Sequence, residues 1–197
     1  MGLTGMLLAA TLSWGAAQAA DQLVGGVKVS ASMASAGAML QLNGAGVRFK
    51  GPFKVYTAAL YTGKKVSTAE EFHAAPGPKR IVLTMHREIE APELGRLFIK
   101  GIQSNALAAA LPKIMADLPR MGEIFGATKK LLPGDQLTVE WIPNSGMVIS
   151  VKGVPQDEAF RAPEFFSSMM DIWLGSSPAD WQLKDALLGK SSAPSPT

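Results

Sequence analysis

The apolar pattern of this chain changes period partway along, and that change limits the fold more than any other feature. Residues 53–61 alternate as a strand does. Val55, Thr57, Ala59 and Tyr61 fall on one face, and Tyr56, Ala58 and Leu60 on the other. Beyond Pro92 the spacing becomes helical. Leu94, Leu97, Phe98, Ile102 and Asn105 recur at three and four residues and so share one side of a helix. Further strands are expected at 23–29, 39–42, 47–49 and 80–86, with Asn43-Gly44 as a hairpin turn between the second and third. A short helix is expected around 69–73. The long helix is expected to reach about 111 and break at Pro112, with a second helical piece ending near Pro119. A hairpin pairs 136–142 with 147–151, and helices follow at 163–174 and 178–188. Strands gather early, a hairpin comes late, and helices lie between and after. That order predicts a segregated α+β domain with an antiparallel sheet, not alternating βαβ units.

The rest of the composition narrows the function. With 47% hydrophobic and 18% charged residues, the 197-residue chain can bury a core. It has no cysteine, which excludes disulfides, thiolate catalysis and cysteine-ligated metal. The net charge of +3 is not gathered into a stripe. The basic pairs Lys64-Lys65, Lys79-Arg80 and Lys129-Lys130 are scattered, so no nucleic-acid partner is expected.

The N-terminus carries an apolar run over 3–14 and then Ala17-Gln18-Ala19, an A-x-A cleavage pattern. Residues 1–20 are therefore expected to be a signal peptide, cut near Ala19 or Ala20, although the segment before the run lacks Lys and Arg. The mature domain is expected to span 21–190 in the periplasm or outside the cell, followed by a disordered polar tail at 191–197. No later apolar stretch is long enough to cross a bilayer.

Recognised catalytic signatures are missing. Gly44, Gly46 and Gly51 are misplaced for a dinucleotide loop, and no G-x-S-x-G elbow occurs. His73 and His86 lie in different elements without a helical ligand partner, so no metal site is expected. The ten methionines are read as core filler, not as ligands of a cofactor. Two polar residues stand out. Arg48 sits in an apolar strand, where it either forms an ion pair or recognises an anionic oxygen. Asn105 lies on the apolar side of the long helix, where it either caps backbone or reaches into a pocket.

Several segments together resemble the chalcone isomerase-like family, in its bacterial exported branch. They are Leu42-Asn43-Gly44-Ala45-Gly46-Val47-Arg48, then Lys54-Val55-Tyr56-Thr57-Ala58-Ala59-Leu60-Tyr61, then Gly134-Asp135-Gln136-Leu137-Thr138-Val139-Glu140-Trp141-Ile142-Pro143. Near the C-terminus come Ile172-Trp173-Leu174-Gly175, Pro178, and Leu187-Leu188-Gly189. The resemblance implies an open-faced β-sandwich, a large antiparallel sheet covered by a layer of helices, with a ligand cleft between them. It implies no cofactor. Plant enzymes of the family cyclise chalcones, and other members bind fatty acids in the same cleft.

By that resemblance, Arg48 matches the strand arginine facing the ligand's anionic oxygen. Thr57 matches a threonine that orders a catalytic water, and Asn105 the helix asparagine. Phe98 stands where the enzymes carry tyrosine, and Ile172 where they carry threonine or serine. With those hydroxyls absent, the expectation is a non-catalytic, exported binding protein for a small amphipathic acid, fatty-acid-like, held by Arg48, Thr57, Phe98, Asn105 and Ile172. The alternatives are a cofactor-independent intramolecular lyase or isomerase, and an envelope interaction protein with a vestigial cleft.

Overall fold

The computed structural model describes residues 20–106 and 109–190. The expected leader, save Ala20, and the expected C-terminal tail lie outside the described residues.

The frame is one antiparallel sheet of seven strands. In chain order its strands are β3 (Ser32–Ser35), β4 (Ala38–Lys50), β5 (Phe53–Thr62), β6 (Lys79–Met85), β9 (Gln136–Ile142), β10 (Gly146–Val151) and β11 (Val154–Phe160). In space they run β11-β10-β9-β6-β5-β4-β3. A separate hairpin, β1 (Gln22–Val24) with β2 (Val27–Val29), precedes them, and β7 (Ile89–Glu90) pairs with β8 (Lys130–Leu131). The helices are α1 (Ala69–Ala74), α2 (Ala91–Asn105), α3 (Leu111–Met115), α4 (Leu118–Ala127), α5 (Pro163–Leu174) and α6 (Trp181–Leu187).

The helices cover one face of the sheet, and the main core lies between. Tyr56, Ala58 and Leu60 of β5, Ile81 and Leu83 of β6 and Val139 of β9 meet Phe98 and Ile102 of α2 and Phe165, Met169 and Trp173 of α5. On the opposite face a smaller core forms beside the β1–β2 hairpin from Val29, Leu40, Leu42, Ala59, Tyr61 and Val82. This is the expected α+β architecture.

Two bulges set the phase of the long β4–β5 hairpin. The ladder passes from Leu42↔Tyr61 to Gly44↔Leu60 and leaves Asn43 unpaired. Asn43 is thus no turn, and the two strands expected around it are one. Its side chain is buried, accepting from the Val66 N–H at 2.8 Å and donating to the Val66 and Leu187 carbonyls at 3.0 and 2.7 Å. Gly44 is required because a Cβ there would collide with the Ala186 carbonyl of α6. A short-range turn signal was in fact a seat for a helix distant in sequence.

The second bulge lies at Val55, between the pairs Arg48↔Tyr56 and Phe49↔Lys54. An extra residue reverses the alternation. Val55 therefore packs with Tyr56 against the helix-side core, while Thr57 faces the other way. This corrects the expectation that Val55 and Thr57 share a face.

Other differences come from proline and from strand edges. The long helix stops at Asn105 rather than near 111. Pro112 and Pro119 lie in the first turns of α3 and α4. There the missing N–H would have no partner anyway, so they open helices instead of ending them. The expected first strand at 23–29 is the β1–β2 hairpin, turning at Gly25-Gly26. The last helix begins at Trp181, behind an Asp180 cap that accepts from the Leu183 N–H at 3.1 Å.

Candidate functional site

A cavity of about 710 Å³ opens between the end of the β4–β5 hairpin and helix α2. The strands contribute Arg48, Lys50, Val55 and Tyr56, and β7 adds Ile89. Helix α2 turns Leu94, Leu97 and Phe98 toward it, while Ile172 of α5 and Ser177 and Ala179 of the following loop close the far wall. Gly101 of α2 lets α5 come close, since a Cβ there would lie 3.0 Å from Ile172 Cγ1.

Arg48 faces the helices because it pairs with Tyr56 beyond the bulge. Its Nη1 donates to Asp180 Oδ2 at 3.2 Å and to the Phe49 carbonyl. Both members of the ion pair are largely shielded, with side chains 28% and 15% exposed. Asp180 is fixed twice over, as partner of Arg48 and as cap of α6. The strand arginine thus has a counter-charge, but its Nε and Nη2 donate to nothing among the described residues. It retains donors for an anionic oxygen.

Tyr56 is the residue that sequence reasoning missed. Its ring is buried, and its oxygen accepts from Trp173 Nε1 at 3.0 Å. Its own proton has no acceptor among the described residues, and the side chain lines the cavity. Burial pushes the phenol up to about 12, partly offset by the Trp173 hydrogen bond and the nearby Arg48 charge. Tyr56 therefore stays protonated and offers a donor beside Arg48. The alternating pattern did put Tyr56 opposite Thr57, but only the bulge brings it onto the face of Val55.

Phe98 and Ile172 form the floor, 3% and 4% exposed. Phe98 stands edge-on to Trp173 at 5.4 Å and to Phe125 at 5.5 Å. These rings fill the deep space between sheet and helices, so the cavity lies outward of them.

Thr57 and Asn105 are not brought into the cavity. Thr57 pairs with Val47 on the opposite face, where its hydroxyl donates to the Val24 carbonyl at 3.1 Å and meets His86 Nε2 at 2.8 Å. Asn105 donates to the Gly101 and Ser177 carbonyls at 2.9 and 3.0 Å and accepts from the Ser177 N–H at 2.8 Å. It ties the end of α2 to the loop that forms the far wall, and so shapes the cavity without lining it. His73, bonded to Asp171 Oδ1 at 2.8 Å, is also outside it. No cluster of three His, Asp or Glu suited to a metal occurs among the described residues.

The rim is charged. Glu88 and Glu90 are held by Lys130 at 2.6 and 3.3 Å. Lys50, Arg87 and Lys100 border the cavity without an acidic partner among the described residues, as does Glu93 without a basic one. The arrangement is an apolar trough with hydrogen-bond donors for an anion at one place on its wall.

Comparison with known proteins agrees with this architecture. A crystal structure of a fatty-acid binding protein from Arabidopsis thaliana is similar with a TM-score of 0.59 at 16% identity, over 83% of this chain and 92% of that chain. No curated protein matches by sequence. The sequence profile described as chalcone isomerase-like matches residues 21–189, the whole of the sheet and its helical layer. The chain belongs to the chalcone isomerase-like family.

Proposed function

We propose that this protein is exported and binds, without transforming it, a small amphipathic acid of fatty-acid type in the cavity beside α2. The observation that carries the reading is the pairing of free donors with apolar wall. Arg48 and the unaccepted Tyr56 proton lie together on the sheet side. Val55, Ile89, Leu94, Leu97, Phe98 and Ile172 supply the apolar surface around them. A cavity of 710 Å³ is within the range of about 300–1,000 Å³ that holds small ligands. The structural likeness to a fatty-acid binding protein supports the same ligand class. The A-x-A pattern at Ala17-Gln18-Ala19 supports export into the periplasm or beyond.

The decisive comparison is a carboxylic acid against its methyl ester. A hydrogen bond to a charged group is worth roughly 1.5–3 kcal/mol. Arg48→Ala should therefore weaken binding of dodecanoic acid by roughly ten- to a hundredfold and leave methyl dodecanoate nearly unchanged. Isothermal titration with both ligands measures this. Equal losses for acid and ester would remove Arg48 from the head-group site.

One observation favours a second reading, a cofactor-independent intramolecular lyase or isomerase. By the family resemblance Phe98 stands at the helix position of the enzymes' tyrosine, yet Tyr56 brings a phenol to the cavity from the sheet. A protonated phenol beside a guanidinium could stabilise a developing enolate. Chalcone cyclisation faster than in buffer, and abolished in Arg48→Ala, would move the assignment to that reading.

A further inference from the structure

The end of the β4–β5 hairpin projects large apolar side chains that the other described residues leave largely uncovered. Phe53 is 62% exposed and Phe49 39%. Across the mouth of the cavity, Leu97 of α2 is 54% exposed. The ladder places Phe49 opposite Lys54 and Phe53 opposite Lys50, so each face of the hairpin tip shows one ring and one ammonium. Arg87 sets its guanidinium 5.9 Å from the Phe53 ring and also lines the cavity.

We propose that this tip and the facing Leu97 dock the protein on a bilayer surface carrying anionic headgroups, with the cavity mouth against the lipid. Aromatic rings flanked by Lys and Arg suit the interfacial zone, where rings enter the acyl boundary and cations meet phosphate. The charges agree. Lys50, Arg87 and Lys100 have no acidic partner among the described residues, and the neighbouring Glu88 and Glu90 share the one charge of Lys130, which offsets half of theirs. Glu93 opposes the attraction and lies at the first turn of α2. A protein partner fits less well. A stable protein interface needs roughly 800 Å² per side, whereas a hairpin tip offers a narrow wedge. The proposal rests on the cavity reading for its purpose, since a single-chain amphipathic acid partitions into bilayers and would enter or leave where the mouth meets them.

Vesicle flotation separates the two claims. The full domain should float with vesicles of equal phosphatidylcholine and phosphatidylglycerol, and far less with phosphatidylcholine alone. Phe49→Ser with Phe53→Ser should lower partitioning about tenfold while leaving dansyl-undecanoic acid binding from solution unchanged. Leu23→Ser with Met39→Ser, which removes exposed apolar side chains away from the cavity (75% and 64% exposed), should float like the parent. Failure of the parent to float on anionic vesicles, or equal loss in both double variants, overturns the docking surface even if the dansyl acid binds. Flotation with the expected loss but no acid binding supports docking and overturns the cavity reading instead.

Discussion

The two faces of the sheet each bury one tyrosine of β5, and they use it differently. On the hairpin side, Tyr61 donates its proton to the Ser30 carbonyl at 3.0 Å. On the helix side, Tyr56 accepts from Trp173 and its proton has no acceptor among the described residues. Burial raises both phenols to about 12, so neither ionises near neutrality. The same contrast holds for their neighbours. Thr57 gives its hydroxyl proton to Val24 and meets His86, while Arg48 retains free donors beside the cavity. On one face Tyr61 and Thr57 are committed to holding an N-terminal hairpin, and Arg80 Nε is buried there without a partner among the described residues. The other leaves donors uncommitted beside a trough. What separates Arg48 and Tyr56 from Arg80 Nε is access, since their donors border a cavity that water or a ligand can enter while Arg80 Nε is sealed.

The largest effect should come from the aromatic floor. Phe98→Ala removes a buried ring that contacts both Phe125 and Trp173. Such truncations cost about 3–5 kcal/mol, which a urea denaturation curve would resolve. The variant should also extend the trough inward, so that longer acids gain affinity relative to shorter ones. A loss under about 1 kcal/mol would mean that the deep cleft is loosely packed and that the two faces differ less than the contacts indicate.

Much of the frame was legible because its signals are local. The strand at Gln136–Ile142 and the helix at Pro163–Leu174 follow from alternation, from a turn at Asn144 and from a proline at a helix start. The edge strands β3 and β11 were not found. Edges tolerate polar residues, and Gln156, Asp157 and Glu158 give no apolar alternation to read. The bulges were invisible for a different reason. Asn43-Gly44 is shaped by the Ala186 and Leu187 carbonyls of a helix far along the chain, and no short window contains that information. The site inherits this limit. Arg48, Phe98 and Ile172 were placed together through family resemblance. The same resemblance assigns Thr57 to the ligand although it faces away from the cavity, and Tyr56 escapes notice because the phase change at Val55 cannot be seen in the pattern of residues 53–61.

Removing one hydroxyl from each face sharpens the comparison. Tyr56→Phe leaves the buried Trp173 N–H without its acceptor, a loss of about 1–3 kcal/mol. It should also weaken acid binding several-fold. Tyr61→Phe frees the Ser30 carbonyl, which is nearer to solvent, and should cost about 1 kcal/mol without changing acid affinity. Parallel urea curves and titrations on both variants measure the contrast. Equal changes in acid affinity would erase the functional distinction between the faces.

The smallest effect should be a pH dependence confined to the hairpin face. His86 packs against Thr57 and beneath the Val24-Gly25 backbone, with Lys54 bonded to the Gly25 carbonyl at 3.1 Å. Burial first, and the Lys54 charge second, hold the imidazole below its ordinary 6.5. Because Thr57 gives its proton to Val24, His86 Nε2 must itself supply the N–H to Thr57, and Nδ1 takes the second proton. Protonation therefore need not break that bond, which keeps the effect small. The sign is set by linkage. Below about pH 6.5 the unfolded chain binds a proton that the folded chain resists, so stability falls as pH drops and levels off under the folded pKa. The lowered carboxylates, such as Asp21 and Asp135, weaken the fold only at more acidic pH, near and below their ordinary 3.8. Urea midpoints between pH 7.5 and 5 should thus decline gently in the parent and stay flatter in His86→Gln. Acid affinity, read on the helix face with a sulfonate ligand that stays ionised, should not follow that decline. If it did, the two faces would be coupled through β5 rather than independent.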